Sequence, residues 1–209
     1  VILLRVSEDD KNTAYLRSID FPFVVVGRPD NPEEVLWVNN DNISAMYNVV
    51  EKLIKKGHRK IGFVGAIENL NMSKDRFIGY KNALFDNKIS YDESIVVHKD
   101  EFIENEGQSA CNELLQNKDI TAIVTTDDLI AFGIMKELKL KNIDNISIVG
   151  FNNTPLSAYQ NPPLATVDIN AYELGYSAAK LLINNLEGKE HAKRHYIVDT
   201  EFIERESFI

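Results

Sequence analysis

The chain holds 209 residues, enough for one large domain or two small ones around a buried core. Apolar residues make up 44% and charged residues 26%, which excludes a disordered chain, a collagen-like chain and a disulfide-stapled miniprotein. The 32 acidic against 23 basic side chains leave a net charge of −9, so this stretch by itself is poorly suited to neutralising nucleic-acid phosphates. No run of about eighteen apolar residues offers a bilayer span, and no membrane partner is expected.

The chain opens without an initiator Met on Val1-Ile2-Leu3-Leu4, an apolar run that reads as a strand already under way. Buried strands rarely begin at a natural terminus, so this start predicts the back part of a longer protein. Further short apolar runs at 23–26, 35–38, 61–64, 95–97, 122–124 and 146–149 predict strands. None alternates with polar residues, as expected where both faces of a sheet are covered. Between them, Ile43, Met46, Val49, Val50, Leu53 and Ile54 paint one face of a helix. Asp41 or Asn42 is placed to cap that helix, and Gly57 to close it in a left-handed turn. Ile130, Ile134, Met135 and Leu138 mark a second helix, capped by Thr126 or Asp127. A third spans about 171–186 with Leu174, Ala178, Leu181 and Leu182 inward, and Asn170 and Glu173 stand in capping-box relation at its start. This alternation predicts an α/β protein with parallel sheets and right-handed crossovers. Two Pro-bearing stretches, 21–32 and 152–163, flank strands, where such folds keep their ligand loops.

Enzyme signatures are absent. No phosphate-cradling G-x-x-x-x-G-K-[ST], no G-x-G-x-x-G, no G-x-S-x-G and no H-E-x-x-H occurs. The single Cys111 argues against a structural zinc site and suits a reducing cytoplasm. Its place beside Leu114 and Leu115 assigns it to packing. His58 reads as a turn residue and Trp37 as core. The Asp127-Asp128 pair reads first as a helix start. No catalytic residue, metal or cofactor is expected.

Five segments together carry a resemblance. They are Leu53-Ile-Lys-Lys-Gly-His-Arg-Lys-Ile-Gly-Phe-Val-Gly65, Arg76-Phe-Ile-Gly-Tyr80, and Ala122-Ile-Val-Thr-Thr-Asp-Asp-Leu-Ile-Ala-Phe-Gly133. The fourth is Ile146-Ser-Ile-Val-Gly-Phe-Asn-Asn-Thr-Pro155 followed by Pro162-Pro-Leu-Ala-Thr-Val-Asp168, and the fifth is Glu173-Leu-Gly-Tyr-Ser-Ala-Ala179. In this order and spacing they cover nearly the whole chain. They resemble the effector-binding domain of the lactose repressor/galactose repressor (LacI/GalR) family of bacterial transcription regulators, maltose-type members above all. The resemblance implies a periplasmic-binding-protein-like fold of two parallel α/β lobes joined by three crossings. The first lobe would be residues 1–56 plus 169–195, incomplete at its N-terminal side, and the second 57–168 plus 196–209. The crossings would fall near Gly57-His58, 165–170 and 196–200. A helix-turn-helix, through which a homodimer would meet operator DNA, would lie upstream of this chain.

The resemblance also implies the residues that meet a small-molecule effector. Arg76 would reach it from a helix start, where a guanidinium can fork onto vicinal hydroxyls. The alternative is a solvated helix arginine paired with Asp75. Asp127 would accept from ligand hydroxyls while capping its helix, with Thr126 just before it. Asn152 stands where the family usually has Asp after the aromatic Phe151, and an amide both donates and accepts. It is equally a turn former before Thr154-Pro155. Phe102 would stack on a sugar face or simply pack, and Arg28 would close the cleft from the first lobe or stay an exposed loop arginine. The Asn152-Asn153 form points to maltose or a related α-glucoside, sensed in the cytoplasm by a repressor. The alternative is a periplasmic or lipoprotein sugar-binding protein of a transporter.

Overall fold

The computed structural model describes residues 1–117, 119–189 and 193–209. In chain order the elements are β1 (Ile2–Leu4), α1 (Lys11–Ser18), β2 (Val24–Val26), β3 (Trp37–Asn40), α2 (Asn42–Lys55), β4 (Ile61–Ala66), α3 (Asn71–Asp86), β5 (Val96–Lys99) and α4 (Glu104–Leu114). Then follow β6 (Ala122–Thr125), α5 (Asp128–Leu140), β7 (Ser147–Val149), β8 (Thr166–Asp168), α6 (Ala171–Leu186), β9 (His195–Val198) and β10 (Glu201–Ile203).

Two parallel four-stranded sheets result, in the orders β1-β2-β3-β9 and β5-β4-β6-β7, with β8 and β10 paired antiparallel beside them. The second sheet lies between two helix layers. Val64, Ala66, Ile123 and Ile148 face Cys111, Leu114, Ile130 and Ile134 of α4 and α5. Ile61, Phe63, Ala122 and Val124 face Met46, Val50, Tyr80 and Leu84 of α2 and α3. Burial on both sides is why these strands read as unbroken apolar runs. In the first sheet, Val24, Val38 and Val198 face Leu174, Ala178 and Leu181 of α6, while Trp37 stacks on His195 across the other face.

Local signals act as the residue types predict. Asp41 accepts from the Ser44 N–H and starts α2, and Asp127 accepts from the Leu129 N–H and starts α5. Gly57, at φ +108, closes α2 with Gly57 N donating to Ile54 O and His58 N to Leu53 O. Asn170 accepts from the Glu173 N–H, but Glu173 accepts from Ser177 rather than returning a bond, so only half a capping box forms. Cys111 is buried, and burial pushes its thiol up to about 12, out of reach of ordinary thiolate chemistry.

The lobe boundary differs from expectation. α2 packs on the second sheet, so the first crossing lies at Asp41 rather than near Gly57-His58. A helical period shows which face of α2 is buried but not against which sheet, and both of its neighbouring strands were candidates. At the other end β9 pairs with β3 through Val198, so residues 196–198 belong to the first sheet. The second crossing runs through Ile169 and the third through Asp199 and Thr200. Residues 190–192 of the expected first lobe lie outside the described residues.

Candidate functional site

The strands of both sheets end towards a common cleft, where parallel α/β sheets present their binding groups. A cavity of about 300 Å³ lies there, at the small end of ligand pockets. Arg5 after β1, Arg28 after β2, and Asn39 and Asn40 at the end of β3 line it from the first lobe. Arg76 of α3, Phe102 ahead of α4, Asp127 before α5 and Asn152 after β7 line it from the second.

Gly79 explains how Arg76 is delivered. A Cβ at Gly79 would lie 2.3 Å from the Ile43 carbonyl oxygen, so only glycine lets α3 sit this close to the start of α2. One turn earlier, Arg76 then meets Asn42. Arg76 is 2% exposed; its Nε donates to Asn42 Oδ1 at 2.8 Å and its Nη1 to Thr126 O at 2.6 Å. Its guanidinium lies 3.6 Å from the centre of the Phe151 ring. Burial pushes this guanidinium down to about 9, and the charges of Asp127, Asp128 and Asp75 hold it up against that. It remains a cation at neutral pH, clamped on three sides and open to the cavity on the fourth.

Asp127 faces the same space. One carboxylate oxygen accepts from the Leu129 N–H at 2.7 Å and the other from Asn152 Nδ2 at 2.8 Å. Burial pushes its carboxyl up to about 6; the Leu129 N–H opposes this, Asp128 adds to it, and Arg76 opposes it. Asn152 has φ +108, a backbone region that favours glycine, and is held there by its N–H to Val167 O and by its amide to Asp127. The adjacent Asp128 is fully buried and accepts from Thr154, Ser157 and Thr166, so it anchors the loop after β7 and does not reach the cleft.

The structure therefore brings Arg76, Asp127, Asn152, Phe102 and Arg28 to one cavity. Thr126 and Phe151 are not on its wall. The Thr126 hydroxyl accepts from the Ala66 N–H while its carbonyl holds Arg76, and Phe151 is the platform beneath that arginine. Arg28 is neither free nor simply exposed: it pairs with Asp75, the residue weighed as a partner for Arg76. Arg5, Asn39, Asn40 and Asn42 escaped the sequence reading. The polar run Asn39-Asn40-Asp41-Asn42 straight after an apolar strand was the available signal, since strand ends carry the ligand loops.

Comparison with known proteins then assigns the fold. A model of the periplasmic binding protein-like domain matches residues 50–208. The solved structure of a LacI transcriptional regulator from Bacillus cereus subsp. cytotoxis superposes with a TM-score of 0.94 at 39% identity, covering 99% of this chain and 74% of that one. This chain belongs to the LacI family. It corresponds to the effector-binding part of these regulators. The HTH-type transcriptional regulator MalR of Staphylococcus xylosus is 30% identical over 99% of this chain. The structure described as a transcriptional regulator CelR–cellobiose complex superposes with a TM-score of 0.93 at 27% identity, covering 99% of this chain and 65% of that one. The chain spans 61% of the length of the MalR relative. Among the described residues no helix is long and apolar enough to cross a membrane.

Proposed function

We propose that this chain binds a neutral sugar, maltose or a related α-glucoside, in the cleft between its lobes. The observation that carries the reading is the convergence of Arg76 and Asp127, side by side on the second-lobe wall, on one cavity that Phe102 also lines. A buried fork of N–H donors and a buried acceptor suit adjacent hydroxyls, and an aromatic face suits the C–H side of a sugar ring. Asn152 offers a donor and an acceptor beside them, and Arg28 closes the rim. Thr126 and Phe151 act behind Arg76, holding it in place. The names of two relatives agree with a glucose disaccharide, MalR by its name and CelR by its bound cellobiose.

The output follows from the family. A sugar that binds one lobe orientation better than another shifts the population of DNA-competent molecules by that difference in affinity. We assign this chain to a cytoplasmic, homodimeric repressor whose DNA contact is the helix-turn-helix of the longer protein, since the chain's own charge is −9. A thermal-shift titration with maltose, cellobiose, glucose, ribose, a purine and an amino acid tests the ligand. A melting temperature that climbs with maltose concentration is expected. A flat response to every sugar would sink the sugar reading, and a response to cellobiose alone would move it to β-glucosides.

A further inference from the structure

Asn40, the last residue of β3, is 4% exposed. Its amide nitrogen donates to Ile169 O at 3.0 Å and to Val198 O at 2.9 Å. Those carbonyls stand at the first-lobe ends of the second and third crossings, and Asn40 itself stands at the start of the first. One side chain thus gathers all three connections between the lobes. Both amide hydrogens are used, while the amide oxygen takes no hydrogen bond among the described residues, and Asn40 lines the cavity.

We propose that Asn40 is the positioning residue that ties occupancy of the cleft to the angle between the lobes. Its hydrogens bind the crossings into one hinge, and its oxygen accepts from a ligand hydroxyl. The second half rests on the sugar reading above; the first does not. Hydrogen bonds weaken steeply with distance and misalignment, so the clasp holds the three crossings to a common motion. A donor arriving at the oxygen polarises the amide and strengthens both bonds to the carbonyls, so an occupied cleft has the stiffer hinge. Without the clasp each crossing bends separately and the lobe angle spreads.

Spin labels at Lys11→Cys on α1 and Lys139→Cys on α5, both exposed, read that angle as a distance distribution, and buried Cys111 stays unlabelled. The carriers are the full chain, Asn40→Leu and Asn40→Asp, the last keeping size and acceptor but lacking amide hydrogens. Without sugar, the distribution in either variant should be about twice as wide as in the unsubstituted chain. Maltose should narrow it in the unsubstituted chain only, and Asn40→Asp should bind maltose about tenfold more weakly. A folded Asn40→Asp with an unchanged sugar-free width overturns the clasp. Equal narrowing by maltose in all three overturns the link to the ligand. If Asn40→Leu fails to fold, Asn40→Asp and Asn40→Ser carry the same readings. Broad variants with no maltose effect in the unsubstituted chain support the clasp while removing both the sugar reading and the acceptor role.

Discussion

Arg28 and Asp75 face each other across the cleft in a two-pronged ion pair, Nη2 to Oδ1 at 2.7 Å and Nε to Oδ2 at 3.2 Å. One follows a strand of the first sheet and the other lies in the first turns of α3, so the pair spans the lobes. The Asp75 side chain is 5% exposed and that of Arg28 44%. The contact is therefore half screened, and its worth should resemble a good surface pair rather than a buried one. Asn71 reinforces it, donating to Arg28 O and to Asp30. A double-mutant cycle with Arg28→Ala and Asp75→Ala in urea melts should give a coupling of about 1 kcal/mol, smaller in high salt. Zero coupling would mean that the lobes are held by the crossings and by the other contacts between them, among them Asn71 N to Val6 O and Glu8 N to Asn69 O.

If the cleft binds sugar as proposed, Asp127 makes that binding depend on pH in one direction. Its carboxyl is pushed up to about 6 by burial, and a hydroxyl-binding acceptor is best as carboxylate. Maltose should bind about tenfold more weakly at pH 5 than at pH 7, the ionised fraction setting the difference. The stability of the free chain runs the other way. A carboxyl raised in the folded state contributes stability that is full below its unfolded value near 3.8 and lost as pH rises through about 6. Titration calorimetry across pH 5 to 7 reads the first and thermal melts read the second. Asp127→Asn should flatten both.

Arg76 is clamped by planarity as much as by charge. Lysine has no fork for Asn42 and Thr126 together and no plane to lie on Phe151. Arg76→Lys should cost about 2 kcal/mol in denaturant melts, the scale of one lost hydrogen bond to a charged group, and should abolish the sugar-induced thermal shift. A full shift retained in Arg76→Lys would place the ligand elsewhere.

Two glycines in helices should respond with opposite signs to the same change. Alanine gains about 1 kcal/mol over glycine in a helix interior. At Gly79 the new Cβ meets a backbone carbonyl at 2.3 Å, and forcing α2 and α3 apart outweighs that gain, for a net loss of about 2 kcal/mol. At Gly175 in α6 nothing lies within 4 Å, so Gly175→Ala should stabilise by about 0.5 kcal/mol. Chemical denaturation of the two variants checks both signs.

How much was legible differed between fold and site. Apolar runs marked all eight strands of the two sheets except β9, whose Tyr196-Ile197-Val198 run the family resemblance assigns to the third crossing. The residues Arg76, Asp127 and Asn152 were visible through the family resemblance, and the structure brings them to one cavity. Thr126 and Phe151 sit next to true wall residues in sequence, but alternate positions point away from the cleft, and one residue's shift changes the side.

The sequence by itself determined the parallel α/β character, the starts of α2, α5 and α6 to within a residue, and the family, because these rest on local periodicity and on motifs read along one chain. Only the tertiary structure decided that α2 belongs to the second lobe, that Arg28 takes Asp75 from Arg76, and that Asn40 holds Ile169 and Val198. Each of those pairings joins residues 47 or more positions apart, or chooses between two equally apolar surfaces. Side-chain periodicity says which face is buried; which partner buries it depends on where the whole chain has already folded.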